Sequence, residues 1–202
     1  MTKVCILDYG SGNVRSVYNA FSQFSDTLVS NHESDLIQAT HIVLPGVGSY
    51  AAAMSGIRKE FPLVTLRNEL FLGKPFLGIC VGMQVLSTIG FEFGECKGLD
   101  LIPGEVREME SDIDPIPHVG WNNLENIGDT ALLADVNSED DFYFVHSYSF
   151  HPVNPSSVLA TTNYGKPFPS VIGCENIFGV QFHPEKSQSS GKKIIKNFLE
   201  LS

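Results

Sequence analysis

Lys74-Pro75-Phe76-Leu77-Gly78-Ile79-Cys80-Val81-Gly82-Met83-Gln84 decides how the 202-residue chain is read. Phe76 to Ile79 is apolar without alternation. A strand with one wet face would alternate, so this run reads as a central strand of a parallel sheet covered on both sides. From Val81 the pattern turns helical through about Thr88, which leaves Cys80 on a sharp strand-to-helix turn. The same unit recurs upstream. Val4 to Leu7 reads as a buried strand, followed by the turn Gly10-Ser11-Gly12 and a helix from about Asn13 to Phe24. His41 to Leu44 reads as another strand, ending in Pro45-Gly46-Val47-Gly48, with Ser49 able to cap a helix that opens on Ala51 to Ala53. Downstream the chain is richer in short strands: Glu105 to Met109, Phe142 to Val145, Val158 to Thr162, Val171 to Cys174 and Phe178 to Phe182. Lys192 to Leu201 reads as a closing helix with Ile194, Ile195, Phe198 and Leu199 on one face. The expectation is one α/β domain over residues 1–202, with a mixed, mostly parallel central sheet and helices on both faces.

Composition narrows the function. Hydrophobic residues make up 43% of the chain and charged ones 18%, enough apolar surface for a core without disulfide or metal staples. Thirteen basic against twenty-three acidic side chains give a net charge of −10, which repels nucleic-acid phosphates and anionic lipid, so neither is an expected partner. Met1 to Gly10 lacks the pattern of an export signal, and no apolar run approaches the roughly 18 residues that span a bilayer; a cytoplasmic protein is expected. Cys5, Cys80, Cys96 and Cys174 lack Cys-x-x-Cys spacing, so free thiols are expected and no metal site. Cys5 and Cys174, in apolar runs, read as small buried hydrophobes. Gly10-Ser11-Gly12 has Arg15 where a dinucleotide loop needs its third glycine, and no Gly-Lys-Ser or Gly-Lys-Thr occurs, so no nucleotide cofactor is expected.

The chemistry concentrates on Cys80. Gly78-x-Cys80-x-Gly82 has the form of a nucleophile elbow, whose flanking glycines allow a turn tight enough to lift the side chain above the sheet. A helix N-terminus there would favour the thiolate. A structural cysteine between two packing glycines fits this motif equally well. Gly179-Val180-Gln181-Phe182-His183-Pro184-Glu185 shifts the balance, because period two puts His183 and Glu185 on one strand face. The carboxylate can then fix the imidazole tautomer that serves the thiol. His32, His41, His118, His146 and His151 have no carboxylate at that spacing, and surface or core packing is expected of them. An attacking thiolate generates an oxyanion that needs two N–H donors. Val81 offers one, and the Gly46-Val47-Gly48 turn could offer another from Val47, although taken as a lone turn its glycines are better read as only ending a strand.

Pro45-Gly46-Val47-Gly48, Gly78-Ile79-Cys80-Val81-Gly82-Met83-Gln84 and Val180-Gln181-Phe182-His183-Pro184-Glu185, in this order, resemble class I glutamine amidotransferases along nearly the whole chain. Asp8-Tyr9-Gly10-Ser11-Gly12-Asn13, Pro117-His118-Val119-Gly120-Trp121-Asn122 and Tyr143-Phe144-Val145-His146-Ser147-Tyr148 look like the branch serving imidazole glycerol phosphate synthase in histidine biosynthesis. The resemblance implies a flavodoxin-like fold and a Cys80, His183, Glu185 triad, with an oxyanion hole at Val47, Gly48 and Val81. It further implies that Gln84, Glu92, Ser147 and Tyr148 hold glutamine. Asn13, Trp121, Tyr143 and Lys186 would face a cyclase subunit built as a (β/α)8 barrel, in a one-to-one heterodimer. The cyclase would use the ammonia to form imidazole glycerol phosphate and AICAR. Ser11, Val81 and Val119 stand where this family more often carries bulkier apolar residues. A subunit of another synthase, a regulatory module without turnover and a stand-alone cysteine hydrolase are the competing readings.

Overall fold

Strand, turn and helix alternate as the apolar runs require. In the computed structural model, which describes residues 2–10, 13–111 and 114–202, the first half runs β1 (Lys3–Ile6), α1 (Val14–Phe21), β2 (Asp26–Val29), α2 (Glu33–Gln38), β3 (His41–Gly46), α3 (Tyr50–Glu60), α4 (Leu63–Phe71), β4 (Phe76–Cys80) and α5 (Val81–Gln84). Ser11 and Gly12 of the first glycine turn lie outside the described residues. The second half is β5 (Ile89–Gly90), β6 (Cys96–Lys97), β7 (Gly104–Glu108), β8 (His118–Asn123), β9 (Asp141–His146), β10 (Tyr148–Pro152), β11 (Val158–Tyr164), β12 (Lys166–Cys174) and β13 (Ile177–Val180), closed by α6 (Gln188–Leu199).

The main sheet has the order β11-β12-β13-β4-β3-β1-β2. From β2 to β13 its neighbours are parallel, and β12 and β11 add an antiparallel edge, as a mixed, mostly parallel sheet requires. The chain steps one way from β1 to β2 and then back across β1 to β3. Right-handed crossovers therefore put α1 and α2 on opposite faces, and α1 packs with α6 whereas α2 packs with α4. All five residues of β4 are buried, with Phe76 opposite both Ile42 and Ile177. Burying side chains such as Phe76, Leu77 and Ile79 contributes about 2 kcal/mol each. Beside this sheet stand a four-stranded sheet, β10-β7-β5-β6, and a two-stranded ribbon, β8-β9. Ser147 joins the ribbon to the smaller sheet, between the end of β9 and the start of β10.

Several boundaries differ from the sequence reading. The helix after Cys80 ends at Gln84, not Thr88. Gly82 and the β-branched Val81 and Val85 are poor helix formers. The next turns close through Leu86 N–H to Met83 and Ser87 N–H to Gln84, while the Ser87 hydroxyl is taken by Tyr50 Oη at 2.8 Å. β3 continues past Leu44 to Gly46, and its Pro45 is tolerated because pairing with β1 stops at Val43. α6 begins at Gln188 rather than Lys192. Its first turn holds Gly191, where a Cβ would lie 1.9 Å from the Pro184 carbonyl oxygen, so glycine there serves a close approach and does not mark a break. Cys5 is buried as expected, and burial pushes its thiol up to about 11, whereas Cys174 is exposed where β12 ends.

Backbone approach at β4 is unusually close. A Cβ on Gly82 would sit 1.9 Å from the Leu44 oxygen, and one on Gly46 would sit 2.4 Å from the Gly82 nitrogen. Neither obstacle is a flexible side chain. Gly82→Ala should therefore lower stability by about 3 kcal/mol, the upper range for forcing an atom into a packed interior, read as a fall in the urea midpoint at unchanged m. An unchanged midpoint would mean that α5 can lift off β3.

Candidate active site

Cys80 ends β4 with φ 55° and ψ −113°, a conformation that L-residues rarely adopt. Tertiary packing holds the strain, as the elbow pattern anticipates. Cys80 is 3% exposed. Gln181 Nε2 approaches its sulfur at 3.8 Å, and the Val145 carbonyl oxygen lies 4.0 Å away. Because α5 is a single turn, its macrodipole is small, and what it offers is the N–H groups that have no partner within the helix, Val81 among them.

His183 and Glu185 meet differently from the strand-face expectation. β13 stops at Val180, and Pro184–Lys186 form a 3-10 turn, so the turn, not the pleat, brings the carboxylate back to the imidazole. Three bonds fix this segment: His183 N–H to the Tyr143 oxygen at 2.9 Å, Ser187 Oγ to the His183 oxygen at 2.7 Å, and Gln181 N–H to the Ser170 oxygen at 2.9 Å. His183 Nδ1 lies 2.8 Å from Glu185 Oε1, with side-chain exposures of 1% and 0%. A carboxylate only accepts, so Nδ1 carries the proton and Nε2 faces the Cys80 sulfur. Nε2 makes no hydrogen bond of normal geometry among the described residues, and neither does Glu185 Oε2. Burial alone would depress the imidazole. Cys80 and Glu185 beside it outweigh burial and raise His183 to about 9.

Cys80 and His183 open into a cleft of about 410 Å³ at the carboxyl ends of the parallel strands. Val47, Gly48, Val81, Gln84, Glu92, Ser147 and Tyr148 line it, so every position expected to bind glutamine or form the oxyanion hole is gathered there. Glu92 Oε2 accepts Tyr50 N–H at 2.6 Å in the first turn of α3, where the helix favours a negative charge. Val47 N–H donates to Tyr9 Oη at 3.2 Å, so in this conformation that peptide is turned toward Tyr9. Of the expected interface residues, Trp121 packs edge-on against Tyr143 at 5.8 Å, and Lys186 Nζ lies 5.5 Å over the Tyr143 ring. Asn13 donates its amide to Glu185 Oε1.

Sequence reasoning gave no site role to Pro117, Val145, Gln181 and Tyr9 and expected only packing of His146, yet all five shape the site. Gln181 was within reach, since it precedes His183 by two residues in the quoted motif. The described residues hold no His, Cys, Asp and Glu cluster that could bind a metal, and none of their helices is long and apolar enough to cross a membrane.

The family model for Glutamine amidotransferase class-I matches residues 5–201. An "Imidazole glycerol phosphate synthase subunit HisH" of Chlorobaculum tepidum is 42% identical over 98% of this chain and 100% of the relative. Its namesake in Salinibacter ruber is 43% identical over 97% and 93%, and that of Methanocaldococcus jannaschii 40% over 97% and 98%. The chain belongs to the HisH family of class-I glutamine amidotransferases. Among solved structures, PurLQS from Thermotoga maritima superposes with a TM-score of 0.74 at 18% identity, over 98% of this chain and 97% of the other. A crystal structure of a glutamine amidotransferase gives 0.73 at 18%, over 98% and 97%. At such identities they speak for the fold, which is the class-I amidotransferase α/β fold expected from the sequence.

The strain at Cys80 in this amidotransferase can be measured. Cys80→Gly should be more stable than Cys80→Ala by about 1 kcal/mol, because glycine adopts the elbow conformation without penalty while alanine keeps the strain. Equal urea midpoints for the two variants would show that the elbow is relaxed.

Proposed function

We propose that Cys80, His183 and Glu185 hydrolyse the side-chain amide of glutamine, and that the ammonia passes to the cyclase subunit of imidazole glycerol phosphate synthase in histidine biosynthesis. The single observation that carries the chemistry is the run of hydrogen bonds from Asn13 through Glu185 to His183 Nδ1, which leaves Nε2 on the side of the Cys80 thiol in a cleft that also holds Gln84, Glu92, Ser147 and Tyr148. The HisH relatives carry the assignment to that synthase in their name.

His183 Nε2 takes the Cys80 thiol proton, the sulfur attacks the carboxamide carbon, and the carbonyl electron pair moves onto oxygen. As the oxyanion collapses, His183 Nε2–H protonates the leaving nitrogen, the C–N bond breaks and ammonia departs from a γ-glutamyl thioester. Water then attacks the thioester, giving its proton to Nε2. The C–S bond breaks, glutamate leaves and Cys80 is restored. Glu185 holds the imidazole in the required tautomer throughout. Val81 N–H and a donor from the Val47–Gly48 turn stabilise the oxyanion. With its N–H on Tyr9, the Gly46–Val47 peptide must turn before it can serve, and a partner that favours the turned state would switch the glutaminase on. Exposed Trp121, with Tyr143 and Lys186 beside it near the cleft, is the face for that partner.

Glutamate release from glutamine should depend on the cyclase subunit with its nucleotide substrate and vanish in Cys80→Ala. A rate indifferent to the partner would overturn the synthase assignment and leave the triad. Since His183 must hold a proton to expel ammonia and is raised to about 9, the rate should fall as pH rises through about 9; a plateau beyond that pH would place the acid elsewhere. Tyr9→Phe removes the acceptor of Val47 N–H and should raise the partner-free rate by about tenfold, the worth of one ordinary hydrogen bond. An unchanged basal rate would sink the Tyr9 restraint.

A further inference from the structure

Two buried histidines lie beside the triad without acting in the chemistry above. His118 on β8 is 2% exposed, and His146 at the end of β9 is 6% exposed. Their rings sit opposite each other in the ribbon register. His146 Nδ1 is 2.9 Å from the Tyr148 carbonyl oxygen, which can only accept, so Nδ1 bears the proton and Nε2 is an acceptor. His118 Nδ1, 3.1 Å from that Nε2, must then be its donor. His118 Nε2 is left to accept from Asn122 Nδ2 at 3.5 Å. Each tautomer is dictated by the next acceptor, and the chain is consistent only with both rings neutral. Burial, as the main cause, pushes His118 down to about 4 and His146 down to about 3, the latter despite its bond to the Tyr148 carbonyl.

The inner end of this chain reaches the reactive centre. The Tyr148 oxygen accepts a second bond from Gln84 Nε2 at 2.9 Å, so both its lone pairs are committed. The other Gln84 amide proton goes to Gln181 Oε1 at 3.1 Å, and Gln181 Nε2 points at the Cys80 sulfur. If only volume were needed between Tyr164 and Phe144, which stack on the His118 ring at 4.0 and 4.8 Å, an apolar side chain would fill it without the cost of burying imidazoles. What the pair adds is direction.

We propose that His118 and His146 are positioning residues, a relay of fixed tautomers that pins the Tyr148 peptide and, through it, the orientation of Gln84 in the substrate cleft. His118 does not line the cleft, so it acts only through His146. The proposal rests on the glutaminase reading above, and the test separates the two. Alkylation of Cys80 by the diazoketone analogue of glutamine is followed against its concentration in wild type, His118→Phe and His118→Asn, with iodoacetamide as a probe that needs no glutamine pocket. Phe keeps the ring stack and removes the donor, whereas Asn restores an N–H near the Nδ1 position. For His118→Phe the half-saturating concentration should rise about tenfold, as expected for one lost hydrogen bond, with little change in the maximal rate. His118→Asn should return toward wild type, and iodoacetamide should label all three alike. Half-saturation unchanged in His118→Phe, or shifted equally in both variants, overturns the relay. His118→Leu repeats the comparison if His118→Phe does not fold. A wild type that iodoacetamide labels but the diazoketone does not saturate overturns the glutaminase reading, and the relay with it.

Discussion

The approach of the Gly82 backbone to the Leu44 carbonyl is the constraint from which the site is built. α5 can begin immediately after β4 only if it lies directly on the end of β3, and that contact leaves no room for a Cβ at Gly46 or Gly82. Once it is made, Cys80 has no choice of backbone. It takes a positive φ, and its thiol is fixed at the cleft. Parallel pairing on both sides of β4 supplies the packing that tolerates this strain, since neither β3 nor β13 can shift without opening the core. Burial on the apolar faces thus sustains one unfavourable conformation at the point where the chemistry needs it.

Much of this was legible before any coordinates. Continuous apolar runs announce buried parallel strands, and for that reason β1, β3 and β4 could be read directly. α2 and β8 could not. α2 is a single short helix with one buried residue, Leu36, and β8 carries Gly120, Asn122 and Asn123 on a partly exposed ribbon, so neither has the periodicity that a reader can use. Local sequence also overstates regularity at the ends of elements. His183 and Glu185 are spaced for a strand face, yet Pro184 starts a 3-10 turn, and the pair meets by a different route with the same outcome. Spacing identified the partners because both geometries return residue i+2 to residue i's neighbourhood, close enough for the glutamate side chain to bridge.

The histidines show what spacing alone cannot supply. His183 and His146 are both buried, and burial pushes each imidazole toward neutrality. One faces the Cys80 sulfur and a carboxylate and rises to about 9; the other faces a carbonyl and a second imidazole and falls to about 3. A carbonyl orients the ring as a carboxylate does but carries no net charge, so its support for a positive ring is too small to outweigh burial. The protein therefore places, within one wall of a cleft, an imidazole able to hold and release a proton and an imidazole pair held neutral at ordinary pH. Only the first can drive proton transfer. In the proposed reaction the second, unable to charge, keeps its hydrogen-bond direction while the first cycles, and a rigid neighbour of that kind is what a site needs when its own acid and base must change state without moving the substrate.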